Sequence, residues 1–286
     1  DKESLILRLV TEALQGVHFQ PREINDEFSE DVFSAYLELI DGEKRFLYQS
    51  DYDFLAKSRL LLDDFLKSGD LKFFEESTAL WVKRRAEARR RFTRLLAKPL
   101  DYTTMRTLET DAEKRRFVKD SAAMDGFWAD YLASRVMDRL YDRAYEKKDS
   151  LNSAFLPGHP EFAKNESDAR LKELEIHDEW FDGLESMDRS DDFGYFINAY
   201  ASAFDPHSQY FPPQQQEAFE IEMTGQLEGI GAQLQQDGEY VTISSIVTGS
   251  ACWRQGELEV GDKLLKVGQG SAESEDVVGM RVNKVV

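Results

Sequence analysis

At Asp205-Pro206 the chain changes its repeat. Upstream, apolar residues return at helical spacing over some two hundred positions. Downstream, short β-rich runs alternate with glycine turns. A chain in which helical and strand patterns are segregated rather than interleaved points to an α+β fold, not to a parallel βαβ sheet. The reading is a mainly helical domain over 1–222, followed over 223–286 by a small, partly open β-barrel, truncated at its carboxyl end.

Helices are expected over 1–16, 31–40, 52–67, 71–98, 122–146 and 167–184. Ser29 is read as the cap of the second and Gly42 as its end. The third stops at Ser68-Gly69-Asp70 and the fourth before Pro99. The clearest stripe is Phe193, Phe196, Ile197, Tyr200 and Phe204, with Asp191 and Asp192 suited to a helix first turn. Asp205 precedes proline and closes that helix. Seven basic residues between Lys83 and Arg94 invite a nucleic-acid reading. However, Phe74, Trp81, Ala88 and Leu95 recur every seven residues on an apolar face, which leaves the cations to solvent or to carboxylates elsewhere in the chain.

Beyond the switch, Gly225, Gly229 and Gly231 bracket Leu227 and Ile230. Glycines two apart allow successive amides to face one concavity, a nest that takes an anion without a charged side chain. The runs at Ala232–Leu234 and 240–246, separated by Gln236, Asp237, Gly238 and Glu239, read as a hairpin. A polypeptide could set its carboxylate on the amides of Gly229, Ile230 and Gly231 and extend as an added strand. Leu227, Ile230, Ala232 and Ile246 would then supply apolar contacts. Two other readings apply to the glycines. A dinucleotide fingerprint fails, because Leu234 stands where the third glycine belongs and a strand follows instead of a helix. A purely structural bend remains open.

The ordered set Asp205-Pro206-His207, Tyr210, Pro212, Glu217, Phe219, Glu222, Met223, Leu227 to Ala232 and Val260-Gly261-Asp262-Lys263 resembles the tail-specific proteases, the C-terminal processing peptidases, around their PDZ domain. Phe28-Ser29, Phe33, Tyr36-Leu37, Leu39, Asp41, Arg84-Arg85 and Lys98 to Thr103 resemble the helical amino-terminal domain of the longer members. The match is loose from about 105 to 190, and Ala251 stands where members often carry proline. The resemblance implies a serine endopeptidase whose serine nucleophile and lysine base lie downstream of the PDZ domain, so no catalytic residue is assigned in this chain. It also implies a periplasmic enzyme that binds the apolar C-terminal segments of substrate proteins. An adaptor protein docking on the helical domain is a further partner to expect. A noncatalytic PDZ scaffold that tethers C-termini is the alternative. The chain opens Asp1-Lys2-Glu3-Ser4 without a leader pattern and closes at Val286, inside a PDZ helix expected to begin near Val277 and Val278.

Charge narrows the partners. With 36 Lys and Arg against 55 Asp and Glu the formal charge is −19, which disfavours nucleic acid and anionic membrane surfaces. No apolar run reaches the roughly 18 to 20 residues of a membrane span. The single Cys252 allows no internal disulfide and reads as buried. His18, His159, His177 and His207 form no metal-ligand spacing, and the carboxylates near His177 read as a solvated helix face. No cofactor and no metal are expected.

Overall fold

A computed structural model describes residues 2–16, 18–102, 104, 107–146, 151–212, 216, 219, 229–268 and 274–285. The chain divides into two compact units, Asp1–Tyr210 and Phe211–Val286.

The first unit is helical: α1 (Lys2–Gly16), α2 (Asp26–Asp41), α3 (Gln49–Leu55), α4 (Leu62–Ser68), α5 (Lys72–Leu96), α6 (Ser121–Ala144), α7 (Phe162–Glu185) and α8 (Arg189–Phe204). The α8 stripe packs against α2 and α5. Phe196 meets Tyr200 edge to face at 5.0 Å and Tyr36 at 5.8 Å, and Phe74 lies 5.3 Å from Phe193. Such pairs add about 0.5–1.5 kcal/mol each beyond their buried area. Asp188 caps α8 in a capping box with Asp191, and Asp205 leaves it extended at φ −163°.

Two expectations fail in one place for one reason. Ser29 does not cap α2. The helix begins at Asp26, where the Asn25 side chain accepts the Phe28 amide, and Ser29 lies one turn inside, fully buried. Its hydroxyl donates to Asp63 Oδ1 at 2.7 Å and accepts from the Asp63 amide at 2.8 Å. The helix expected over 52–67 is broken into α3, a 3₁₀ turn at Ala56–Ser58, and α4. Leu55, Leu62 and Leu66 are all buried, and their spacing of seven and four suits an unbroken helix equally well. The tie from Asp63 to Ser29 is long-range and invisible to local periodicity.

On α5 the cations meet carboxylates, and Arg84, Arg85 and Arg91 are buried. Arg84 donates from Nε and Nη2 to Asp51 at 2.7 and 2.8 Å and from Nη1 to Glu87 at 2.7 Å, while its guanidinium lies 4.0 Å over the Tyr48 ring. Arg85 stands 3.7 Å from the buried Asp192, whose burial raises its pKa. Arg89 binds Asp182 and Glu185, each at 2.7 Å. The carboxylate-rich face expected around His177 is in part internal. Glu173 is wholly buried and accepts from Arg139, and His177 lies among Phe92, Trp128, Tyr131 and Trp180.

The second unit has an antiparallel hairpin of β1 (Ala232–Asp237) and β2 (Tyr240–Ile246), turned by Gly238-Glu239 with Gly238 at φ +59°. That left-handed first turn residue suits glycine in a two-residue hairpin. A bulge falls between Gln233 and Leu234. A short helix, α9 (Ala251–Gln255), precedes β3 (Lys263–Leu264), which pairs with β2; β4 (Lys266–Val267) and β5 (Glu275–Asp276) form a separate ribbon. Among the described residues the sheets do not close, in keeping with an α+β fold whose small sheet region is partly open. The helix expected from Val277 is instead α10 (Val282–Val285). Val277 is a core residue that packs with Val241 and Val285, and its amide bonds the Leu265 carbonyl. Cys252 is buried, as read.

Two outcomes follow from the buried charges. Asp51→Ala removes two of the three hydrogen bonds from Arg84 to carboxylates and leaves Glu87 as its one carboxylate partner, and is expected to destabilise the protein by about 1.5–3 kcal/mol in urea melts. Lys67→Ala, which removes the half-exposed cation paired with the buried Asp63 and leaves that carboxylate its bond from Ser29, should cost about 1–2 kcal/mol. Burial holds the His177 pKa below its ordinary 6.5. The fold therefore favours the neutral ring. This contribution is present above about pH 6.5 and is lost as the pH falls below it. The drop in urea midpoint from pH 7.5 to 5.5 should be shallower in His177→Gln.

Candidate functional site

The glycine loop, the hairpin and α10 come together in the second unit. Gly231 is buried at φ +79°, and a β-carbon added there would lie 2.0 Å from Ser250 Cβ, so both the backbone angle and the space require glycine. Gly229 has neither constraint: nothing lies within 4 Å of an added β-carbon. The two glycines that sequence reading treats alike are therefore different. One is obligatory and the other is permissive.

The carbonyls of the loop face a single segment. Ile230 O accepts from the Cys252 amide at 2.8 Å, and Gly231 O accepts from the Val247 amide at 2.8 Å and from Ser250 Oγ at 3.3 Å. In a trans peptide the N–H lies opposite the C=O. The Gly231 and Ala232 amides thus leave from the face turned away from residues 247–252. Among the described residues no acceptor is paired with the Gly229, Ile230 or Gly231 amides. Successive amides on one side, with a left-handed residue between them, make an anion nest.

Ala232 and Ile246 are direct partners across the β1–β2 ladder, so the fold brings Ile246 to the loop from fourteen positions away. Ile230 is about half exposed, at 51%. Leu227 lies outside the described residues. Among the described residues β1 is an edge strand, paired on one side with β2. Near its other end the α10 residue Val282 donates its amide to Gln236 Oε1 at 3.0 Å, and Val282 and Leu234 pack on the Val241–Val277–Val285 core. An edge strand, a nest at its start and a helix beside it can hold an extended chain with a free carboxylate.

The matches to known proteins cover both units. A family model described as the tail specific protease N-terminal domain matches residues 10–214. The chain belongs to the tail-specific protease family. A PDZ domain model matches residues 219–286. The chain is 28% identical, over its whole length, to a tail-specific protease of Haemophilus influenzae, and it spans 38% of that protein's length. No helix among the described residues is long and apolar enough to cross a membrane.

Ser250 is a site residue to which the sequence alone does not point. It buttresses Gly231 and caps α9 by accepting the Trp253 amide at 3.2 Å. A serine before a short apolar run is a cap signal, yet its approach to Gly231 spans nineteen residues and leaves no local trace. Gln236 and Val282 were missed for the same reason.

Gly231→Ala should destabilise the second unit by at least about 2 kcal/mol, from the left-handed backbone and the collision with Ser250. Gly229→Ala should change stability by less than about 1 kcal/mol. Hydrogen exchange of the β1 and β2 amides distinguishes them, with protection lost in the first variant and kept in the second.

Proposed function

We propose that the second unit of this chain binds the free carboxyl ends of polypeptides by strand addition to β1. The observation that carries the reading is the outward-facing amide pair at Gly231 and Ala232, set at the start of an edge strand. The carboxylate sits on the amides around Gly229, Ile230 and Gly231, and Leu227, Ile230, Ala232 and Ile246 contact apolar terminal side chains. Backbone donors select for the carboxylate and leave the sequence of the bound tail loosely specified, as suits a protein that meets many substrates. The kinship with a tail-specific protease supports placing this binding step before proteolysis. In that reading the whole protein is a periplasmic serine endopeptidase, and the bound tail is delivered to a serine and lysine carried outside this chain. The helical unit is the proposed docking face for an adaptor protein.

Fluorescence anisotropy with a labelled peptide ending in apolar residues tests the recognition step against its amidated twin. Amidation removes charge-assisted hydrogen bonds worth about 1.5–3 kcal/mol, so affinity should fall roughly tenfold to a hundredfold. Equal binding of the two peptides, or none, would return the Gly229–Gly231 loop to a structural role.

A further inference from the structure

The carboxyl half of α5 borders a feature that peptide recognition does not use. Between α5 and the start of α6 lies an open cleft of about 390 Å³, lined by Arg84, Arg90, Arg91, Arg94, Ser121 and Asp125. The charges around it do not cancel. Its lining carries four arginines, Arg84, Arg90, Arg91 and Arg94. Against these four cations the lining sets two carboxylates, Glu87 and Asp125. Two positive charges remain uncompensated in a chain whose overall charge is −19.

The surplus can be placed on particular groups. Arg84 is committed to Asp51 and Glu87, and Arg91 to Asp125, with its Nη2 also 3.1 Å from both Tyr48 OH and Ser121 Oγ. Arg94 contacts Asp125 through Nη2 alone, at 2.7 Å, and its side chain is 58% exposed. Arg90 has no carboxylate partner among the described residues. Every other arginine between positions 84 and 94 has one. Arg90 and Arg94 are four residues apart and so lie on one side of α5. Ser121 accepts from Arg91, which leaves its hydroxyl hydrogen to donate. Two guanidinium forks with unused N–H groups and a hydroxyl donor thus border one cleft.

We propose that this cleft is a binding site for a phosphate-type dianion, held by Arg90 and Arg94 with Ser121. Guanidinium groups bind tetrahedral oxyanions in bidentate fashion, and a double negative charge matches the local surplus of two. A compact ion is favoured over a polyanion, because the surrounding negative field repels extended anionic chains while the cleft concentrates a small one.

The test is a titration of the 286-residue chain with inorganic phosphate at constant ionic strength, with chloride as the balancing anion, read by calorimetry and by thermal midpoint. Saturable phosphate binding is expected, weakened by about tenfold or more in Arg90→Gln/Arg94→Gln. Both side chains are exposed enough for that variant to fold, and an unchanged melt without phosphate checks this. Glycerol 3-phosphate serves as a second probe. Binding of both shows a site open enough for a phosphate ester, and binding of inorganic phosphate alone shows a site for the free ion. A response equal to that of chloride, or phosphate binding unchanged in the double variant, would overturn the proposal.

Discussion

The helical unit depends on how an acidic chain neutralises the arginines of α5. Burying an unpaired guanidinium costs several kcal/mol, so the fold is possible only where carboxylates reach each buried cation. Asp51 from α3, Asp192 from α8 and Asp125 from α6 do this for Arg84, Arg85 and Arg91. Each pair joins α5 to a different helix and so fixes that helix's position around it. The aromatic core at Phe73, Phe74, Phe196 and Tyr200 supplies the apolar drive, and the ion pairs select one arrangement of that core. The same bookkeeping leaves Arg90 and Arg94 incompletely matched, at a cleft where α5 faces solvent with surplus charge.

The second unit has a different governing constraint, the close approach of Gly231 to Ser250. Because Gly231 has no side chain and a left-handed backbone, its carbonyl and that of Ile230 can both turn to residues 247–252. The outward amides are the geometric consequence. A loop pinned in this way is ordered before any ligand arrives, so in the binding proposed above the carboxylate would meet donors already in place. The edge of β1 extends the same surface along the strand. Membership of the tail-specific protease family accords with this succession of a helical domain and a PDZ domain.

Features written in neighbouring residues could be read directly. The α8 stripe, its stop at Asp205-Pro206, the left-handed Gly69 at the end of α4 and the hairpin at Gly238 all depend on side chains within a few positions of one another. Features that depend on distant partners were misread. Ser29 has the residue type of a cap, yet serves Asp63, thirty-four positions away. His177 sits among acidic residues in sequence and among aromatic rings in space. Gly229 and Gly231 look equivalent until Ser250 is placed.

The sequence by itself determined the α+β class, the order of a helical and a PDZ-like region, and the loop from Gly229 to Ala232, because periodicity, turn chemistry and motif spacing are local. Only the tertiary structure decided which of the α5 cations are buried, why the chain breaks between α3 and α4, which glycine is obligatory, and where positive charge remains unmatched. These are outcomes of desolvation, close packing and long-range pairing. They depend on distances between residues far apart in the chain, which no local pattern encodes.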